Sequence, residues 1–299
     1  MESLEVLRRR MDSTEDLQSL VRSMKALSAA NIHHYEEAEA GLQDLRGTID
    51  LGLQALFREY PVRMRPAASR AGSKILVAFG SERGLCGGFN ETVAELSSRH
   101  VSRHRRNKGP MFVLAIGERV ADHMRSVHLV PDAVLPFPAT MHGLGGVCER
   151  IVIWIDRLQK LEPVEHVETI FNVRDDNGEI KPSAHVLLPV PMEHLRSLQA
   201  RRWPSRGLPV FTVHPQQLFS WLIRQHLFAN LYHAGLSSMM SENAARLAAM
   251  HRAERNIEET LAALTARYRQ SRQDTITGEL MDIVSGYEVL DRQGSKRKI

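Results

Sequence analysis

The first part of the chain has a spacing of apolar side chains that is typical of a coiled coil. From Leu4 to about Phe57 the sequence contains no proline, and apolar or small residues recur at intervals near three and four. A mean interval of 3.5 residues marks the contact line of one helix on another. A continuous helix over this range would be about 80 Å long, which is too long for a globular core to bury. The predicted contact line contains Leu17, Leu20, Met24, Leu27, Asn31, Tyr35, Ala38, Leu42, Leu45, Ile49 and Leu56.

The last part of the chain has a similar pattern. Pro215 stands where a proline in the first turn would begin a helix, and no proline follows it. Unbroken, this helix would be on the order of 110 Å long. We therefore expect the two chain ends to form one antiparallel two-helix coiled coil, from an N-terminal helix at 1–60 and a C-terminal helix at 210–290, followed by a basic tail at 291–299. The related faces of the second helix carry Leu218, Leu222, Leu231, Met239, Ala245, Ala249, Ala253, Leu261, Leu264 and Tyr268.

Residues 70–205 have the pattern of an α/β domain. The runs ILVAFGS at 75–81 and MFVLAIG at 111–117 are continuously apolar, as expected of strands covered on both faces. A helical segment separates them, and strand–helix alternation favours an open sheet of Rossmann-like topology. The predicted fold is therefore α/β with long helices, in which a central α/β domain lies between the coiled-coil helices. Further along, we predict an amphipathic helix at 147–161 and strands at 164–173 and 184–191.

Composition narrows the classes of protein that fit. The chain has 299 residues, 43% of them hydrophobic and 25% charged, which is typical of a globular protein. No apolar run approaches the roughly 20 residues of a membrane span, and the N-terminus lacks a signal peptide's apolar core. Two cysteines, Cys86 and Cys148, give neither a disulfide framework nor metal-ligand spacing, which suits a reducing cytoplasm. A net charge of +4 fits nucleic acid or an acidic protein partner, but Arg and Lys are interleaved with Glu and Asp, so we expect no nucleic acid.

The stretch SERGLCGGFN, residues 81–90, lies between a predicted strand and a predicted helix, where many proteins bind phosphate. A Walker-type loop needs G-x-x-x-x-G-K-[ST], and a dinucleotide loop needs G-x-G-x-x-G; neither spacing occurs here. The glycines instead permit positive φ and close backbone approach, and Asn90 would cap a helix starting at Glu91. A structural or docking turn is the favoured interpretation. The alternative is an α/β nucleotide-binding enzyme with helical arms.

Three blocks of sequence resemble the gamma subunit of F-type ATP synthases. SERGLCGGFN is similar to that family's S-D-R-G-L-C-G-G-[LF]-N loop. Residues 8–30, RRRMDSTEDLQSLVRSMKALSAA, resemble its opening helix. Residues 241–286 resemble its terminal helix, including the pattern R-Q-x-x-I-T-x-E-L-x-[ED]-I-V-S-G. The region from about 100 to 205 carries little that matches, although its strands are consistent with the family's α/β domain.

The resemblance implies a central shaft of a rotary motor that couples ion flow through a membrane sector to ATP synthesis or hydrolysis. Its implied partners are the alpha and beta subunits of an alpha3beta3 hexamer, the epsilon subunit and the membrane c-ring. The nucleotides of such a complex are bound by alpha and beta, so the resemblance implies no catalysis and no cofactor in this chain. It also implies peripheral attachment at the cytoplasmic face of the plasma membrane, without insertion into the bilayer.

The resemblance also implies roles for particular residues, which would otherwise be ordinary surface or packing positions. The N-terminal block would contact an acidic catch loop of beta, the glycine turn would dock at the foot of the shaft, and the C-terminal block would support coupling. Among the last group we favour Gln273 and Thr277, because polar groups in a long helix contact line otherwise cost packing. The implied residues are Arg8, Arg9, Met24 and Lys25; Arg83, Gly84 and Cys86; and Arg246, Arg272, Gln273, Thr277 and Glu279.

Some positions depart from the family's pattern. Asn31 and His33 stand where many members keep basic residues, and Gly278 stands where a larger polar residue is usual. These departures, with the basic tail, resemble an alternate type of gamma subunit found with second ATP synthase operons. A shaft does not contact the transported ion, so the sequence leaves both H⁺ and Na⁺ open.

Overall fold

A computed structural model describes residues 3–60, 72–107, 110–175, 177–204, 207 and 209–296, but not the side chains of residues 106, 107 and 285–296. The predicted basic tail at 291–299 therefore lies outside the described side chains. The helices are α1 (Leu4–Glu59), α2 (Phe89–Asn107), α3 (Glu118–Ser126), α4 (Leu144–Leu161), α5 (Met192–Ala200) and α6 (Pro215–Lys296), with a short 3-10 turn at Met141–Gly143. The strands are β1 (Ser73–Phe79), β2 (Met111–Ile116), β3 (Ala133–Leu135), β4 (Val164–Arg174) and β5 (Ile180–Leu188).

The chain divides into two compact units. One consists of Met1–Leu27 and Ala248–Ile299, and the other of Ser28–Leu247. Helices α1 and α6 each contribute residues to both units. Among the described residues, no helix contains a stretch long and apolar enough to cross a bilayer.

A mixed five-stranded sheet forms the centre of the second unit. Its strand order is β3-β2-β1-β4-β5; the first four strands run parallel and β5 pairs antiparallel to β4. This is the order of a dinucleotide-binding sheet, whose ligand crevice lies where the strand order reverses, beside the carboxyl end of β1. The predicted α/β fold of the central part is confirmed by this sheet and the helices that cover it.

Strands β1 and β2 are buried on both faces, which explains why they are continuously apolar. Alternate side chains of β1 point to opposite faces. Ile75, Val77 and Phe79 pack in the cluster that contains α4 and α6 residues. Leu76 and Ala78 pack in the cluster that contains α2 and α3 residues. Three layers result, and in this second unit α6 is part of one outer layer.

The buried face of α1 agrees with the predicted contact line in part: Tyr35, Leu42, Ile49 and Leu56 are buried as predicted. Besides Leu53, Gln54 and Phe57, its buried residues include a line that recurs every seven positions from residue 21, at Val21, Ser28, Tyr35, Leu42, Ile49 and Leu56, with Leu7 two such intervals earlier. A seven-residue interval returns to the same helix face, so this set forms one line. Leu17, Leu20, Leu27 and Leu45 lie off that line and are 51%, 55%, 62% and 42% exposed, so the prediction was wrong for these four leucines.

Polar pairs join α1 to α6 within each unit. In the second unit, Asn31 pairs with Asn243, and Arg46 pairs with Asn230, so the residue numbers rise on one helix as they fall on the other. In the first unit, Lys25 Nζ lies 2.6 Å from Glu254 Oε2. The helices therefore run in opposite directions in the second unit.

The last described part of α6 lacks the buried face of the preceding turns. Met250 and Leu264 are buried, and Tyr268 and Ser271 are half-buried. From Arg272 to Val284 every side chain is exposed. This segment includes five large apolar residues: Ile276, Leu280, Met281, Ile283 and Val284.

Candidate functional site

The glycine turn at 81–88 follows the carboxyl end of β1, the place where a dinucleotide-binding fold would hold its ligand. Gly87 has a φ of 60°, which confirms the predicted positive φ for this residue. Leu85 also has a positive φ, of 65°. Just before the turn, a Cβ on Gly80 would lie 2.2 Å from Val120 Cβ. Glycine is therefore required at 80 by close packing of α3 on β1, and at 87 it suits the left-handed backbone.

Asn90 anchors the turn from inside rather than capping a helix. Helix α2 begins at Phe89, two residues before the Glu91 start that a cap at Asn90 requires, so Asn90 lies inside the helix. The Asn90 side-chain oxygen accepts a hydrogen bond from the Ser81 amide at 2.9 Å, and its nitrogen donates to Ser81 Oγ at 2.8 Å. The predicted cap was wrong, because the buried amide is used to close the turn onto its own start.

Side chains of this chain accept hydrogen bonds from the backbone amides that face this crevice. The Glu82 carboxylate accepts from the Glu118 amide at 3.3 Å, at the start of α3, and from the Phe137 amide at 3.0 Å. A helix N-terminus and neighbouring amides are what a phosphate would use. Here a carboxylate already accepts from these donors, and Asn90 occupies the Ser81 amide.

Helix α6 contacts the outer side of the turn through a buried ion pair. Arg246 donates to the Gly84 carbonyl at 3.3 Å and pairs with the Glu242 carboxylate one helical turn away. The two side chains are only 12% and 11% exposed. Burial raises the pKa of Glu242, while the charges of Arg246 and then Arg83 oppose that rise.

Buried polar contacts extend from this pair to α1 and the sheet. Asn243 accepts from Asn31 of α1 at 3.4 Å. Ser241 donates to the Asn172 carbonyl on β4 at 2.9 Å, and the Asn172 side chain donates to the Phe89 carbonyl at 2.8 Å. Ser241 thus contacts the sheet, Asn243 contacts α1 and Arg246 contacts the glycine turn, which fixes the position of this part of α6 on all three.

Neither cysteine is arranged as a nucleophile. Cys86 is 3% exposed, and burial raises the pKa of its thiol. Cys148 is fully buried, and burial raises its pKa to about 12. A thiol needs a lowered pKa to react as thiolate at neutral pH. Cys86 instead lies within reach of Ser81 Oγ, at 3.6 Å, as part of the packed turn.

The structure brings together four of the residues singled out from the sequence: Arg83, Gly84, Cys86 and Arg246. The remaining eight lie on α1 and α6 in the first unit. Lys25 binds Glu254, Met24 is half-buried, and Arg9 contacts Glu5 at 3.5 Å on an open surface. The exposed members of this group are Arg8, Arg9, Arg272, Gln273, Thr277 and Glu279.

The reason for favouring Gln273 and Thr277 was wrong. Both are exposed, so neither interrupts a packed contact line in this chain. Sequence reasoning also missed Glu242 and Asn172 as members of the site. A signal for Glu242 was available, because an acid four residues before Arg246 is the spacing of a helical ion pair. Nothing in the local sequence marked Asn172, which faces the turn only after the sheet has formed.

Comparisons with known proteins agree with each other. The family model described as ATP synthase matches residues 3–290. The ATP synthase gamma chain of Geotalea uraniireducens is 25% identical over 96% of this chain and 99% of its own length. That of Salinibacter ruber is 26% identical over 98% and 100%.

Solved structures share the fold. A chain in the Euglena gracilis mitochondrial ATP synthase structure of OSCP, F1 and c-ring has a TM-score of 0.62 and 14% identity, with 96% of this chain and 94% of that chain covered. A chain in the Tetrahymena thermophila structure of the central stalk and c-ring has a TM-score of 0.54 and 17% identity, with 78% and 99% covered.

Proposed function

Because the chain belongs to the ATP synthase family, as one of its gamma chains, we propose that it is the central shaft of a rotary F-type ATP synthase. In that role it couples ion flow through the membrane sector to ATP synthesis or hydrolysis in an alpha3beta3 hexamer. The chain itself carries out no covalent chemistry. It presents a different side to each of three catalytic sites, and its rotation moves their conformations around the ring.

The observation that carries this proposal is the exposed end of α6. From Arg272 to Lys296 the helix is about 37 Å long at 1.5 Å per residue. Its described side chains up to Val284 are all exposed and include five large apolar ones. A cluster of exposed apolar residues on a helix marks a surface that a partner covers. The cavity of an alpha3beta3 hexamer is a partner of that kind.

The two long helices supply a stiff element for transmitting torque. The seven-residue interval of buried positions on α1 supports an antiparallel coiled coil with α6. The Lys25–Glu254 ion pair supports the same arrangement in the first unit. The hydrogen bonds of two helices and the packed line between them resist bending, which suits an element that transmits torque.

We assign the exposed polar residues of the first unit to contacts with the hexamer. Arg8 and Arg9 have charge suited to an acidic loop of beta, and Met24 and Lys25 lie on the same helix. Arg272, Gln273, Thr277 and Glu279 would contact alpha and beta groups near the top of the shaft. Exposure supports this assignment for six of the eight residues, because a partner can reach their side chains: Arg8, Arg9, Arg272, Gln273, Thr277 and Glu279.

The α/β part, with Arg83, Gly84 and Cys86, is proposed to sit at the foot, beside epsilon and on the c-ring, and Arg246 is assigned to coupling with the other C-terminal residues. We propose that the chain is divided by these roles. The shaft consists of helices at 1–60 and 210–290, the foot is the domain at 70–205, and a basic tail follows at 291–299. The complex would lie at the cytoplasmic face of the plasma membrane, with this chain outside the bilayer and without nucleic acid.

Co-purification tests the proposal. The tagged full chain, expressed with the alpha and beta subunits of the same complex, should recover both in a three-to-three ratio to one tagged chain. A Leu280→Asp, Ile283→Asp variant should lose most of that recovery, because it places charge on the exposed apolar end. Val210→Asp is the matched control, since Val210 is 90% exposed outside α6. The proposal is overturned if the tagged native chain is recovered without alpha and beta. It is also overturned if the native chain and both variants recover equal amounts of alpha and beta.

A further inference from the structure

Three potential metal ligands from three different helices meet in the second unit. Asp50 lies on α1, His194 on α5 and His226 on α6. One ligand atom from each lies within 4.8 Å of the others. His194 Nε2 is 3.1 Å from Asp50 Oδ1, and the His194 and His226 rings have centroids 5.8 Å apart.

The spacing is close to that of a metal centre. Zinc bonds of about 2.0–2.2 Å in tetrahedral geometry place two ligand atoms about 3.4 Å apart. The Asp50–His194 distance already fits that separation. A small movement of His226, or a change of its side-chain rotamer, would bring the third ligand into place.

The surroundings hold the three helices in place while leaving the ligands accessible. Leu195 and Leu198 of α5 pack in an apolar cluster with α1 and α6 residues, including Leu53 and Leu222. Asp50 and His194 keep 23% and 35% of their side chains exposed, so an ion has a path from solvent. The backbone is therefore held by apolar packing, and Asp50 and His194 remain accessible to solvent.

The chemistry of the set selects a class of ion. Two imidazoles with one carboxylate suit first-row transition ions such as Zn²⁺, whereas Mg²⁺ and Ca²⁺ prefer oxygen ligands. The nearby cation Arg46 opposes a bound ion, because its hydrogen bond to the neutral Asn230 side chain leaves its charge in place; the Asp50 carboxylate supplies the negative charge that offsets it.

We propose that Asp50, His194 and His226 form a binding site for a divalent transition-metal ion such as Zn²⁺, with water completing the coordination. The ion would tie α5 to both long helices at one point. Helix α5 has only nine residues, so a metal bond to its His194 would strongly restrain the position of α5 against α1 and α6. The role is structural and is independent of the function proposed above.

Zinc titration of the untagged, chelator-stripped full chain tests the site. Calorimetry should show one Zn²⁺ per chain, and the melting temperature should rise with zinc. Cobalt should bind with the visible absorption bands of a tetrahedral site. His194→Gln and His226→Gln should each weaken zinc binding by at least about 10-fold, as loss of metal-site groups does. Circular dichroism without metal shows whether each variant is folded.

Two variants control for adventitious binding by surface histidines. His214→Ala changes an exposed histidine near the start of α6, and the pair His33→Ala, His34→Ala removes an exposed set beside Glu37 on α1. Both should keep the zinc affinity of the native chain. The proposal is overturned if the native chain does not bind zinc at equimolar concentration. It is equally overturned if folded His194 and His226 variants bind as tightly as the native chain.

Discussion

The ion pair between Arg246 and Glu242 gives the sharpest energetic prediction of the structure. Arg246→Ala removes the guanidinium that faces the Glu242 carboxylate and the Gly84 carbonyl. The carboxylate would then be left nearly buried without its nearest positive charge. Removing one partner of a buried pair is strongly destabilising, because the other charge remains desolvated.

The magnitude has an upper limit, because Glu242 can bind a proton instead of staying charged. Holding a carboxyl with an ordinary pKa of 4.5 protonated at pH 7 costs about 3.4 kcal/mol, at 1.36 kcal/mol per unit. The lost hydrogen bond to the Gly84 carbonyl adds about 1 kcal/mol. We therefore expect a loss of up to about 4 kcal/mol at pH 7.

The sign of the pH dependence follows from the same reasoning. A carboxyl whose pKa is raised in the folded state loses stability as pH rises. The variant raises that pKa further, so its deficit should grow with pH. At pH 5 the protonation cost falls to about 0.7 kcal/mol, which leaves a total near 2 kcal/mol.

Urea unfolding of the full chain, followed by circular dichroism at both pH values, measures the effect. The double variant Arg246→Ala, Glu242→Gln should recover part of the loss at pH 7, because it removes the unpaired charge. Arg9→Ala is the control, since its pair with Glu5 is 82% and 84% exposed and should have no measurable effect. A deficit below about 1 kcal/mol, or one that does not change with pH, would refute the reasoning.

Three further outcomes are expected. Gly80→Ala should markedly lower the melting temperature, because its Cβ would lie 2.2 Å from a side-chain carbon of α3. Gly84→Ala should be tolerated, because the nearest atom to its Cβ, in an α3 side chain, would be 4.0 Å away. Burial lowers the pKa of His233 to about 4, with help from nearby positive groups and against a neighbouring carboxylate, so the folded chain resists its protonation. Stability should fall between pH 6.5 and 4 by about 2 kcal/mol more than in His233→Gln, as urea unfolding would show. Arg272→Ala or Gln273→Ala in the assembled complex should slow ATP synthesis by roughly 5- to 150-fold, while ATP affinity at the tightest site stays near normal. If both synthesis and hydrolysis are unchanged, these residues have no role in coupling.

The strands and the long helices could be predicted because their patterns are local. Strand β1 is covered on both faces, so its sequence is apolar throughout, and proline-free ranges match α1 and α6. The α1 contact line could be predicted only in part. Tyr35, Leu42, Ile49 and Leu56 are buried as predicted, but the exposed leucines at 17, 20, 27 and 45 are as apolar as buried ones, so the local sequence did not separate them.

The site was predictable only in part, for a related reason. The glycine turn and Arg246 stood out as motifs, but their contact joins residues 162 positions apart. Asn90 had the residue type of a helix cap, yet the buried Ser81 amide offered its side chain a better partner. Long-range pairing of buried polar groups depends on the assembled fold, which local sequence does not specify.

Direct observation of rotation tests the central claim. Val130, which is 72% exposed on the α/β part, would be changed to cysteine and labelled with a bead, while the buried Cys86 and Cys148 stay unlabelled. With the hexamer fixed to a surface and ATP supplied, the bead should turn in one direction with three pauses per revolution. ATP hydrolysis by the same complexes with a stationary bead would contradict the assignment of this chain as the shaft.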